Sequence, residues 1–148
     1  MAHYAQLGED NIVTRVVKVN NRDCMTEGGI EKEDLGAQYL IGITGHLVWK
    51  KCSYNTQYGV HKLGGTALRG NYPSIGWYYN STHNIFHQAR PTDQDGNACT
   101  TWTLNSTTGA WDPPVPKPTN ISTVIWNEAT YAGVSTTGWV GLTTAGLY

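Results

Sequence analysis

The chain has 148 residues and a mass of 16.3 kDa, enough for one domain with a true core, or for one domain with an arm. Its net charge is −1 with an isoelectric point near 6.5, so the basic face that nucleic-acid binding needs is missing and that class of partner is excluded. Only 14% of residues are charged, against about a quarter in ordinary soluble domains, and the aromatic set is 6 Trp and 9 Tyr against 1 Phe, side chains whose polar edge suits half-buried or partner-facing surface.

Residues 1–10 lack a basic stretch followed by an apolar one, and no run of about 18 apolar residues occurs anywhere, so neither a targeting segment nor a membrane partner is expected. The first predicted element is a strand over residues 11–19, where Ile12, Val13, Val16, Val17 and Val19 put apolar groups on both faces, the pattern of a central strand. A helix is expected over 31–43. Glu31, Glu33 and Asp34 favour its positive end, Leu35, Tyr39 and Ile43 recur on one face, and Gly45 closes it. A strand follows over 47–54. Residues 57–71 hold Gly59, Gly64, Gly65 and Gly70 and are expected to form a long loop with no regular element.

The next stretch repeats itself. Trp77-Tyr78-Tyr79-Asn80 and Trp102-Thr103-Leu104-Asn105 each run into a Ser-Thr turn, and Val124-Ile125-Trp126-Asn127 is a looser third copy. Each reads as a strand, a tight turn and a returning strand. Between the second and third copies, residues 112–118 include Pro113, Pro114, Pro116 and Pro118, which impose an extended, stiff strap. Residues 119–148 are rich in Thr, Gly and Ala with isolated aromatics, too little apolar bulk for a separate core. The expected fold is mainly β, α+β at the margin: a hairpin-rich antiparallel sheet with one short helix, a proline strap and an extended C-terminal tail. The expected segments are a globular body over 1–111, the strap over 112–118, and a tail over 119–148 with a possible hairpin.

Motifs for chemistry are sparse. Cys24, Cys52 and Cys99 are odd in number, far apart and without a C-x-x-C pair, so they read as free thiols of a protein made in a reducing cytoplasm. His83 and His87 have helical zinc spacing, but on a strand they stand about 13 Å apart, too far for one ion. His61 reads as a loop cap, with a ligand role as the sharper alternative. No nucleophile elbow or phosphate loop is present. Asp93, Asp95, Asp112 and Glu128 are the acids that a paired-carboxylate site would draw on, yet Asp93-x-Asp95-Gly96-Asn97 reads first as a turn and only weakly as a calcium loop. No catalytic residue, cofactor or metal is assigned. Trp77, Trp102, Trp111 and Trp126 would serve either as cross-strand core pairs or as a stacking platform for sugar rings, so a glycan remains a possible ligand.

Several motifs together, Trp49 to Thr56, Gly59-Val60-His61, Leu68-Arg69-Gly70-Asn71-Tyr72, Ile75-Gly76-Trp77-Tyr78-Tyr79 and Trp102-Thr103-Leu104-Asn105 with Trp111 and Pro113, resemble a family of small virion structural proteins of marine phages, cyanophages among them. The opening Met1 to Leu7 is similar to that family's start, and the resemblance runs to about residue 118. Lys51, Cys52, Pro73, Ser74 and Trp77 depart from its habit. The resemblance implies a non-enzymatic component of a phage particle, located in the virion and in contact with other virion proteins. A capsid decoration or cement protein on the major capsid protein, in many copies or as a homo-oligomer, is the favoured form; a tail, baseplate or tail-fibre component with receptor binding is the alternative. Trp126, Tyr131, Trp139, Pro114, Pro116 and Tyr148, on the strap and tail, are the expected partner contacts.

Overall fold

A computed structural model of the chain describes residues 1–120, 123–134 and 136–141. Contacts divide it into two units, Met1–Ala89 with Ser106–Ala110, and Arg90–Asn105 with Trp111–Tyr148. This division cuts across the expected segments 1–111, 112–118 and 119–148: residues 90–105 group with the strap and tail, and the loop 106–110 groups with the N-terminal residues.

The first unit is built on a strand that the sequence reading passed over. β1 (Ala2–Leu7) pairs antiparallel with β2 (Val13–Val19), and after α1 (Glu33–Thr44) the chain returns as β3 (Trp49–Cys52) on the other side of β1, giving the order β2-β1-β3. β2 is therefore an edge strand, not a central one. Its two-sided valines have a different cause: a buried cluster lies on each face of the sheet. On one face Ala2, Tyr4, Val19 and Trp49 pack with Leu40 of α1 and with Cys24. On the other, Ala5, Leu7, Val13 and Cys52 pack with Tyr79 and Phe86, supported by Tyr72 and Trp77.

The helix ends where expected, with Gly45 at φ 74° donating its N–H to the Ile41 carbonyl at 2.8 Å. Its buried face is shifted, however. Gly36 and Leu40 are buried, whereas Tyr39 and Ile43 of the expected face are 40% and 62% exposed. Tyr4 causes the shift. Its phenol rises from the sheet against the bare backbone at Gly36 and donates a hydrogen bond to the Glu33 carbonyl at 3.0 Å; a Cβ at Gly36 would stand 2.5 Å from Tyr4 Cζ. The contact surface is set by the absence of a side chain, which hydrophobic periodicity does not register.

The expected loop over 57–71 begins instead with a hairpin, β4 (Thr56–Gln57) and β5 (Val60–His61). Tyr58 at φ 49° and Gly59 at φ 76° supply the two left-handed residues of a tight two-residue turn. Downstream, β6 (Tyr78–Asn80) and β7 (Ile85–His87) form the hairpin that the first repeat copy predicts, with Tyr79 paired to Phe86. Arg69, 10% exposed in its side chain, joins these parts. Its guanidinium donates to both Glu33 carboxylate oxygens (2.7 and 3.3 Å), to the Lys51 carbonyl (2.8 Å) and to Asn84 Oδ1 (2.8 Å).

The second unit contains β8 (Thr103–Leu104), β9 (Trp111–Asp112), β10 (Val124–Trp126), α2 (Glu128–Val134) and β11 (Trp139–Gly141). β8 and β9 pair as the second copy predicts. The third copy does not form a hairpin turn at its asparagine. Asn127 Oδ1 accepts the Thr130 N–H at 2.8 Å and starts α2, so the described residues hold two α-helices where one was expected, and β10 finds its partner only at β11, with Trp126 opposite Trp139. Asn80 makes the same bond, to the His83 N–H at 3.0 Å, but there Asn84 turns left-handed at φ 52° and the strand returns. An asparagine that bonds three residues ahead serves a turn and a helix start equally, and the residues after it decide which forms.

Replacing Gly36 with alanine should lower stability by about 1–3 kcal/mol through overpacking against Tyr4, measured as a lower denaturation midpoint with unchanged cooperativity. An unaltered midpoint would mean that the helix rides farther from the sheet.

Candidate functional site

The strap and tail aromatics singled out from sequence gather within the second unit. Trp126 is 5% exposed, and its ring packs edge-to-face on Trp102 and Trp139 at centroid distances of 5.7 and 5.2 Å, with Tyr131 at 5.4 Å on another side. Trp139 is half-buried and donates its indole N–H to the Val115 carbonyl at 2.7 Å, while Lys117 lies over its ring. The strap between exposed Pro114 and Pro116 is thus bonded within its own unit, through a backbone carbonyl that the prolines leave free. Tyr148 lies outside the described residues.

Two buried carboxylates hold this cluster. Glu128 accepts four hydrogen bonds: from the Trp126 indole (2.6 Å), the Thr101 N–H (2.8 Å), the Thr101 hydroxyl (3.0 Å) and the Thr100 hydroxyl (3.2 Å). Asp93 accepts from the backbone N–H groups of Asp95, Asn97 and Glu128, each at 2.9–3.0 Å, and from the Asn97 amide at 3.4 Å. Burial pushes the pKa of Glu128 upward, but the bonds from Trp126 and the two threonines outweigh it and leave the carboxyl below its ordinary value. For Asp93 the Glu128 N–H is the largest influence and also lowers it, against the opposing effect of burial. The Asp93–Asn97 segment is the turn that the sequence suggested, closed by a bridge between Thr92 and Ala98; its carboxylate is spent on N–H donors. In the sequence Glu128 stands out only as one of several scattered acids. Nothing in its neighbours marked it as the anchor of an indole two positions earlier.

Beside these groups the second unit has a cleft of about 320 Å³ lined by Pro91, Thr92, Gln94, Trp102, Ile125 and Trp139, with Asp93, Cys99 and Trp126 at its base. Of the three indole N–H groups here, those of Trp126 and Trp139 are bonded within the unit and that of Trp102 is buried without a partner among the described residues. The other members of the sequence-derived sugar platform lie elsewhere. Trp77 packs in the first unit, and Trp111 lies beneath the Arg90 guanidinium, 4.4 Å away, which also ties down the carbonyls of Cys99 and Trp102.

The remaining candidates have local roles. His83 sits on the β6–β7 turn, and His87 is buried at the strand end, stacked on Tyr78. His61 Nδ1 accepts the N–H groups of Leu63 and Gly65 at 3.1 and 3.0 Å, which makes it the loop cap. The three cysteines are buried free thiols; burial pushes Cys52 up to about 12. No helix among the described residues is long and apolar enough to cross a membrane. Comparison of the chain with protein-family models, curated proteins and solved structures finds no match.

Because the folded-state values of Asp93 and Glu128 are lowered, their contribution to stability is complete above the unfolded carboxylate range, about pH 4, and is lost as pH falls through the lowered folded values. Glu128→Gln should reduce stability at neutral pH by roughly 1–3 kcal/mol and flatten the acid limb of a plot of unfolding midpoint against pH. An acid limb as steep as in the wild type would remove Glu128 from this role.

Proposed function

We propose that the protein is a non-enzymatic structural component of a phage virion, a decoration or cement protein attached in many copies to the major capsid protein. The observation that carries this reading is a row of apolar side chains held outward on fixed backbone. Tyr58, Val60 and Leu63 are 50%, 63% and 79% exposed along the β4–β5 hairpin and the loop after it. The left-handed pair Tyr58-Gly59 and the two bonds to His61 set their direction. Large apolar groups presented this way by a chain with few charges suit burial against a neighbouring protein. Leu47 and Val48, exposed between α1 and β3, add to the apolar surface. The resemblance to small marine-phage virion proteins supplies the setting, and its matched residues include the Gly59-Val60-His61 stretch at the centre of this row.

In purified particles, quantitative mass spectrometry should count hundreds of copies. A few dozen or fewer favours the tail, baseplate or fibre alternative. Val60→Asp with Leu63→Asp, both exposed and thus tolerated by the fold, should cut retention on particles at least about tenfold, the factor of losing roughly 1.4 kcal/mol of contact. Undiminished retention would move the contact surface elsewhere.

A further inference from the structure

We infer that the cleft of the second unit is a binding site for a neutral sugar ring. This goes beyond a structural role and does not depend on it. Size permits it: about 320 Å³ falls within the range of small-ligand sites. Shape and chemistry point to it. Trp102 and Trp139 are half-buried and inclined at 54°, with Trp126 set edge-on to both (81° and 76°), so the indoles wall a cleft instead of stacking closed on one another. Exposed aromatic faces take the apolar C–H face of a pyranose. A sugar also needs hydrogen-bonding groups at its edge. The Thr92 hydroxyl and the Gln94 amide stand at the rim, exposed, and make no hydrogen bond among the described residues.

Charge narrows the ligand class. Asp93 lines the cleft, Glu128 bonds to Trp126 at its base, and Asp95 follows in the same turn, while no Lys or Arg lines it. With no Lys or Arg in the lining to pair an acidic sugar or a phosphate, the site favours an uncharged ligand. Asp93 itself is fully engaged by four donors, which leaves recognition of the ring edge to Thr92 and Gln94.

The test uses the full chain labelled with ¹⁵N and follows the indole N–H signals of its 6 tryptophans while triacetylchitotriose, cellotriose, a neutral galactose trisaccharide and sialyllactose are added in turn. One or more neutral sugars should shift the Trp102 and Trp139 signals saturably, leaving those of Trp49 and Trp77 in place, and sialyllactose should bind more weakly. Gln94→Ala and Thr92→Val, which remove side chains without internal bonds, should each weaken that binding about fivefold with the spectrum of the free protein otherwise kept. No shift with any of the neutral sugars, a preference for sialyllactose, or a cleft that answers to free indole or a proline-rich peptide and not to sugars would each overturn the assignment. Copy number on the particle is unaffected by any of these outcomes, so the two readings fail separately.

Discussion

The first unit depends on the Arg69–Glu33 pair. Glu33 is at the start of α1, and its carboxylate receives the Arg69 guanidinium on both oxygens and the Lys51 N–H, at 2.9 Å, on Oε1. The same guanidinium covers the Lys51 carbonyl and reaches Asn84 in the β6–β7 turn. Helix start, sheet edge and hairpin turn are thereby fixed to one planar, permanently charged group, a geometry that lysine does not reproduce. The arrangement also closes the outer edge of β3, because both backbone groups of Lys51 are occupied by side chains and are not left open to another strand. Burial alone would raise the Glu33 pKa; the Arg69 and Lys51 bonds reverse this and hold it low. Arg69 reaches its place only from a left-handed backbone, φ 50°, beside Gly70 at φ 71°. The glycine-rich stretch is therefore scaffold as much as surface.

The second unit solves a different problem. It has few aliphatic side chains, and its interior is made of indoles whose polar edges must be satisfied when buried. Glu128 and Asp93 do this from beneath, Val115 from the strap. A core built this way keeps order with little apolar bulk, and it leaves ring faces and edges at its surface. The acid sensitivity of the carboxylates and the cleft between the indoles are two consequences of the same economy of aliphatic residues.

Much of this was readable along the chain wherever the information is local. The helix over 31–43 and its glycine stop, the first two hairpins, the Asp93 turn and the capping role of His61 depend on neighbours within a few residues, and each is found where those neighbours place it. The third repeat copy misled, because an Asn bonding to the residue three ahead has two continuations. The 57–71 stretch misled because four glycines hide a hairpin of only four paired residues. Of the cleft, the tryptophans were visible as a class, yet the set of four proposed from strand pattern mixed residues of different units and omitted Trp139.

The sequence by itself determined the mainly antiparallel β character, the aromatic weighting, the low share of charged residues and the local turns, since composition and short-range hydrogen bonding suffice for these. Only the tertiary structure decided which face of α1 is buried, that β1 is the central strand, and which tryptophans meet. Those outcomes rest on contacts across large separations in sequence: Tyr4 against Gly36, Arg69 on Glu33, Asp93 and Thr101 on Glu128. A long-range contact leaves no periodic trace in the chain. It exists only once the backbone has brought the two residues within reach.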